Sequence, residues 1–300
     1  MQTRWVGGWI AVLMLSLVGC SRSVPMGPAP DQQLAEQLRD AISGGMVADD
    51  GEGEEDAAST GTGWATLRGR FVFDGTPPAR KPKTITKDFD VCAPGGAPVL
   101  GQSLLVDDST QGIANVAIYL RKAPRVHESA HPNDKSVLFD QAKCIFLTRV
   151  LPLTVGQTLE LKNSDPVGHN TNIENLTNMV IPAGQSMTQV IKKESQIPLK
   201  VVCNIHPWMV AYVLPRSDGY VAITAVDGTF EIANLPAGEV LEFQAWHESG
   251  AGSRGSLLVD TAEAKALKWS SKGRFKVTLE PDQAMDLGEI VVPASAFRGG

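Results

Sequence analysis

The stretch Leu199-Lys200-Val201-Val202-Cys203-Asn204-Ile205-His206-Pro207-Trp208-Met209-Val210-Ala211-Tyr212-Val213-Leu214 reads as two short strand-forming runs joined by a turn. Valine and tyrosine dominate both runs, as suits a pleated, half-buried surface. The turn carries a thiol, an imidazole and a thioether in the order Cys-x2-His-x2-Met. Three such donors converge on one point only if the flanking runs are neighbouring strands and the turn is tight. The stretch therefore asks for a β framework.

Working outward, the same pattern recurs. Val155 to Asn163 alternates, with Leu159 and Leu161 facing in and Thr158, Glu160 and Lys162 facing water. Further strand-like runs cover 65–73, 113–120, 136–139, 145–150, 188–191, 219–226, 230–232, 240–246, 275–279 and 289–292. Asp74-Gly75-Thr76-Pro77-Pro78 and Asp227-Gly228 supply turns. With 29 Gly, 19 Pro and 6% aromatic residues, short strands are favoured over long helices. The expectation is an all-β chain built as a β-sandwich or barrel. One helix is expected, from Thr261 to Trp269.

The donors of the turn point to a metal. Two imidazoles, one thiolate and a weak thioether suit a trigonal copper site with a long axial ligand. Cys203, His206 and Met209 are three of these. The second imidazole comes from Asn163-Ser164-Asp165-Pro166-Val167-Gly168-His169-Asn170, which offers His169 from the end of a neighbouring strand. Imidazole suits Cu(II) and sulfur suits Cu(I), so this set holds both states with little rearrangement. Asn170 is placed to bond across to the ligand turn. Asn204 is placed to offer a backbone N–H to the Cys203 sulfur, and Pro207 stiffens the turn. Pro207 and Trp208 are expected to form an apolar collar around a partly exposed His206 edge, where a redox partner docks. Each residue alone has a plainer reading, as a core histidine or a buried thiol. The set as a whole also admits zinc, Cu(I) storage or no metal. His247 is a lesser candidate, placed to cap a strand or face the metal region. His127 and His131 read as solvated loop residues.

The N-terminus adds a location. Arg4 is followed by an apolar run from Trp9 to Val18 and by Leu17-Val18-Gly19-Cys20. That ending resembles the bacterial lipobox. The resemblance implies a signal peptide over 1–19, acylation of Cys20, membrane attachment through the lipid and, with Ser21 following, an outer-membrane destination. An uncleaved anchor is the alternative. Asp49, Asp50, Glu52, Glu54, Glu55 and Asp56 crowd one stretch without a base among them, so 20–62 reads as an acidic tether. The net charge is −6, and no basic patch marks a nucleic-acid surface. Of four cysteines, Cys92 and Cys144 remain once Cys20 and Cys203 are assigned. In an oxidising compartment they form a disulfide or remain two buried thiols. No P-loop, Gly-x-Ser-x-Gly elbow or His-Glu-x-x-His appears, so catalysis is not expected.

The motif Cys203-x2-His206-x2-Met209, with His169-Asn170 upstream, resembles the cupredoxins, with the amicyanin spacing; plastocyanin keeps Cys-x2-His with a longer step to Met. The resemblance covers about 135–215. It implies a Greek-key β-sandwich at 131–216, one type 1 copper, and electron transfer with a cytochrome or dehydrogenase as partner. A wider likeness runs through Gly69 to Gly75, Asn115 to Leu120 and Leu138 to Cys144. These segments resemble the methylamine-utilisation-like group, in which β-rich flanks, here 63–130 and 217–294, surround such a core. Relatives of that group read Pro-His-Val where this chain has Thr148-Arg149-Val150. Asp227 to Gly238 resembles the transthyretin or carboxypeptidase-regulatory repeat. The expected function is single-electron transfer by a lipid-anchored protein. The alternatives are a metal-free binding or adhesion scaffold that contacts carbohydrate or protein, and an accessory subunit of a periplasmic dehydrogenase.

Overall fold

In the computed structural model, residues 61–131 and 135–298 are described. The expected signal peptide, the acylated Cys20 and nearly all of the acidic tether lie outside the described residues. Among the described residues no helix is long and apolar enough to cross a membrane.

The strands are short and follow closely on one another. They begin with β1 (Trp64–Asp74), β2 (Ala117–Leu120), β3 (Ser136–Ala142), β4 (Ile145–Phe146), β5 (Val150–Thr154) and β6 (Thr158–Asn163). Next are β7 (His169–Ile173), β8 (Thr177–Ile181), β9 (Ser186–Val190), β10 (Leu199–Val202) and β11 (Val210–Arg216). The series closes with β12 (Val221–Ile223), β13 (Thr229–Pro236), β14 (Val240–Trp246), β15 (Arg274–Thr278) and β16 (Ala284–Pro293). The helices are α1 (Phe89–Cys92) and α2 (Ala262–Ala266). The protein is all-β, as the alternation of its sequence implies.

β6 shows how the pattern becomes a sandwich. Leu159 and Leu161 point inward and are fully buried, while the residues between them stay partly exposed. Two sheets enclose them, in the strand orders β4-β3-β6-β9 and β5-β11-β10-β7-β8. Phe139 and Phe146 from one sheet meet Ile173, Val201 and Val213 from the other. Pro152 sits in β5, at a sheet edge, where its missing N–H removes no ladder bond. The next inward position of β6 is Asn163, also fully buried. Its Nδ2 donates to the carbonyls of Val167, Ile181 and Pro182, which organises the loop leading to β7.

The remaining strands build a second sandwich, ordered β13-β1-β16 and β12-β2-β14-β15. β1 is its clearest organiser. It pairs antiparallel with β13 and parallel with β16. Its inward Leu67, Phe71 and Phe73 pack with Ile118, Leu120, Phe243, Phe275 and Val292. The flanks 63–130 and 217–294, far apart in sequence, therefore contribute to the same sheets and one core. The Asp227-Gly228 turn forms as expected. Asp227 Oδ1 accepts from Thr229 N at 3.0 Å, and Gly228 has φ 84°, a conformation that suits glycine.

The two sandwiches meet along a seam. Ala117, Tyr119, Val150, Leu214 and Trp246 pack together there. Arg216, buried to 1% exposure, donates to the carbonyls of Leu120, Arg121 and Ser195. Arg149 makes a two-pronged pair with Glu248, both N···O distances being 2.5 Å. Arg149 Nη1 also donates to the carbonyl of Val210, so the pair ties the start of β5 to β11.

Two local expectations need correction. The run 145–150 is not one strand: β4 ends at Phe146 and β5 begins at Val150 in the other sheet. The break is a crossing between sheets, which apolar character alone does not reveal. β7 carries little of the strand signal but forms a strand between two ladder partners, β10 on one side and β8 on the other. The expected helix 261–269 is present but shorter, as α2. The Thr261 side chain caps it by accepting from Ala264 N at 3.2 Å. Thr261→Ala is expected to lower stability by about 1 kcal/mol, read as a shift of the chemical denaturation midpoint.

Candidate metal centre

β10 and β11 run antiparallel, with Val202 opposite Val210 as the last pair before the turn. Cys203 N donates to Met209 O at 3.2 Å, and Met209 N donates to His206 O at 2.9 Å. These bonds fold 203–209 back on itself. β7 lies on the other side of β10, with Asn172 opposite Val202. His169, the first residue of β7, is thereby carried to the Cys203 turn.

The side chains converge. His169 Nδ1 and His206 Nδ1 are 2.9 Å apart, and Cys203 Sγ is 3.7 Å from His206 Nδ1. The far nitrogen of each ring meets a carboxylate: His169 Nε2 lies 2.7 Å from Asp165 Oδ2, and His206 Nε2 lies 2.8 Å from Asp88 Oδ2. A carboxylate only accepts, so each Nε2 carries the hydrogen and each Nδ1 presents a lone pair. Two lone pairs and a sulfur then face one another in a pocket where all three residues are fully buried. Lone pairs 2.9 Å apart repel unless a cation lies between them. A proton is disfavoured there. Burial pushes His169 below the ordinary imidazole range, against the opposing pull of Asp165. A metal ion suits the donors better. The three donor atoms lie within 4.8 Å of one another, and one ion reaches both nitrogens with bonds of about 2.0 Å. The donor set therefore fits a soft-to-borderline metal ion.

The surroundings hold the donors in place. Cys203 Sγ accepts from Asn170 N at 3.3 Å and His206 N at 3.4 Å, which stabilises negative charge on sulfur. Asn170 Oδ1 accepts from Asn204 N at 2.6 Å, linking β7 to the ligand turn. Asn170 Nδ2 donates in turn to Asn178 Oδ1. Asp165 accepts from Lys143 N at 2.6 Å and Cys144 N at 2.8 Å in addition to His169. Such carboxylate–imidazole contacts fix ring orientation and raise donor strength. Asp165→Ala removes three of these bonds at once. It is expected to weaken metal binding about 10- to 100-fold, measured by competition with a chelator of known affinity.

His169, Cys203 and His206 are brought together as the sequence implies. Met209 closes the turn and is 1% exposed within the same core. Asn170 bonds across to the ligand turn, as expected. Cys92 and Cys144 are joined as a disulfide. Three expectations are corrected. The Asn204 N–H goes to Asn170 and not to the sulfur, whose donors are Asn170 and His206. The His206 ring has no exposed edge, because the Asp88 segment covers Nε2. Trp208 is half-buried and turned inward, its Nε1 donating to Cys144 O at 3.1 Å, so only Pro207 of the expected collar stands fully at the surface. His247 joins no cluster of metal-ligating groups among the described residues. It is buried edge-on against Phe297, and burial pushes its pKa down to about 3, so it packs as a neutral ring. His127 is half-buried, with its ring 4.8 Å from that of Trp64.

Two residues in contact with the candidate donors, Asp165 and Asp88, are not among those the sequence singles out. Asp165 carried a signal, four positions before His169 in the loop that Asn163 organises. Asp88 carried none, because it lies in a turn-rich stretch far from the donors in sequence.

No protein-family model matches the chain, and no curated protein matches it. Among solved structures it is similar to amicyanin from Paracoccus versutus, at 18% identity, over 33% of this chain and 97% of that one, with a TM-score of 0.25. A purple cupredoxin from Nitrosopumilus maritimus is similar at 23% identity, over 28% of this chain and 100% of that one, with a TM-score of 0.25. A Cu-containing nitrite reductase from Thermus scotoductus is similar at 21% identity, over 29% of this chain and 23% of that one, with a TM-score of 0.24.

Proposed function

We propose that this chain is a type 1 copper protein that passes single electrons between redox proteins of the cell envelope, attached to the membrane through an acylated Cys20. One observation carries the reading: the Nδ1 lone pairs of His169 and His206 converge beside the buried Cys203 sulfur, each ring held from behind by a carboxylate. Copper bound there supplies a one-electron Cu(II)/Cu(I) couple. The chain supplies the rest. Asp165 and Asp88 keep the imidazoles from turning. The N–H groups of Asn170 and His206 stabilise the thiolate. Burial excludes water and competing ligands. A donor set that scarcely moves between oxidation states lowers the reorganisation that accompanies electron exchange. On this reading the protein is a carrier of electrons rather than a catalyst of bond chemistry. A cytochrome or a dehydrogenase is the partner class that such a carrier serves. Nucleic acid has no part in it.

The test is direct. One equivalent of Cu(II) added to purified metal-free protein is expected to give an intense visible band from thiolate-to-copper charge transfer. A colourless product overturns the copper reading and leaves a β-sandwich scaffold in its place.

A further inference from the structure

Two features of His206 go beyond its service as a donor. Its ring is fully buried, and the carboxylate on its Nε2 comes from Asp88, 118 positions earlier in the chain. Asp88 has φ 51° and ψ 42°, a left-handed conformation that Asp adopts more readily than most residues. Its carbonyl accepts from Val91 N at 3.0 Å and Cys92 N at 2.8 Å, which starts the α1 turn. Cys92, at the end of that turn, is bonded to Cys144. Cys144 gives its N–H to Asp165 Oδ2, and its carbonyl receives Trp208 Nε1. The two sulfur atoms lie within 4.8 Å of a His206 nitrogen. The contacts close a ring: His206, Asp88, Cys92, Cys144, Asp165, His169 and back to His206. Around α1 the segment has little ladder support, the isolated bridge between Pro82 and Leu100 being one such contact. The disulfide is its covalent tie to the sandwich that holds the donors.

We propose that Asp88 is a positioning residue for the metal centre, carried on a cap that the Cys92–Cys144 disulfide holds shut. This rests on the copper reading above. With the disulfide formed, Asp88 fixes the His206 tautomer and the cap screens the ring from solvent and chelators. A dithiol reductant opens it. The S–S bond breaks, each sulfur takes up one electron and one proton, and the two thiols of the reductant become a disulfide. The α1 turn then keeps only non-covalent contacts, Asp88 leaves Nε2, and the ligand edge meets water. Metal retention is thereby tied to the thiol–disulfide state of the compartment.

The experiment compares wild type, Asp88→Ala, Asp88→Asn and the double variant Cys92→Ser/Cys144→Ser. In the copper-loaded proteins, decay of the visible band in excess chelator reads metal release. Release is expected to be at least about tenfold faster in Asp88→Ala and in the disulfide-free protein, with Asp88→Asn intermediate because it keeps an acceptor oxygen. Asp88→Ala is also expected to move the band itself, since donor strength at His206 changes. In the metal-free proteins, alkylation of Cys203 by iodoacetamide, followed by peptide mass, reads access to the centre without copper. Cys203 is buried in the closed form and is expected to react faster once the disulfide is absent. Wild-type release and alkylation rates in the disulfide-free protein overturn the cap, even where Asp88→Ala releases quickly. An unchanged band and release rate in Asp88→Ala overturn the positioning role. If the disulfide-free chain does not fold, the two Asp88 variants decide, since neither touches the disulfide. Wild-type protein that takes up no copper refutes the copper reading, and the alkylation comparison still decides the cap.

Discussion

Cys203→Ser is expected to abolish the visible band of the copper-loaded protein while leaving the fold in place. A serine hydroxyl does not ionise at neutral pH and is a hard donor, so the covalent thiolate bond that gives colour is lost. The hydroxyl oxygen still accepts from Asn170 N and His206 N, the two groups that meet the sulfur in the native chain. The buried donors therefore keep a partner, and the stability cost is expected to stay near about 1 kcal/mol. Two imidazoles remain, so residual weak metal uptake without intense colour is compatible with this result. Absorbance and bound-metal analysis on the same sample separate colour from occupancy. Full colour in the Cys203→Ser protein would place the ligand thiol elsewhere and end the assignment.

The second large effect is on stability. Arg149→Met is expected to destabilise the protein by about 3–5 kcal/mol, because it leaves a buried carboxylate unpaired. The pair is enclosed, its side chains being 12% and 7% exposed. Burial already raises the pKa of Glu248, and Arg149 is the first group to oppose that rise. Arg149 Nη1 also donates to the carbonyl of Val210, the residue after Met209, so the loss reaches the ligand turn. Arg149→Met combined with Glu248→Leu is expected to recover most of the stability, because no stranded charge remains. Urea denaturation of the three proteins checks this. A single variant within about 1 kcal/mol of wild type would show that the pair behaves like an exposed one.

Much of the fold was legible in local pattern. Leu159 and Leu161 announce β6 because side chains alternate across a strand, a property of a few adjacent residues. The Asp227-Gly228 turn and the Thr261 cap are equally local. β7 was harder. Its sequence His169-Asn170-Thr171-Asn172 is polar, and the two asparagines are poor strand formers in isolation. It becomes a strand because β8 and β10 flank it and the donors must be held there. The break between β4 and β5 was hidden for a related reason: apolar residues on both sides suit a core without saying which sheet receives them.

The sequence by itself determined that Cys203, His206 and Met209 share one tight turn, because their spacing is set by the chain. It also determined the all-β character, through short-range alternation and turn residues. Only the tertiary structure decided that β1 lies between β13 and β16, that Asp165 backs His169, and that Asp88 closes over His206. Those partners lie far apart along the chain. Closing a long loop costs only slightly more entropy than closing a shorter one, so separation in sequence carries little information about which distant partner is chosen. That choice falls to complementary buried faces and to polar groups that must find a partner once water is excluded.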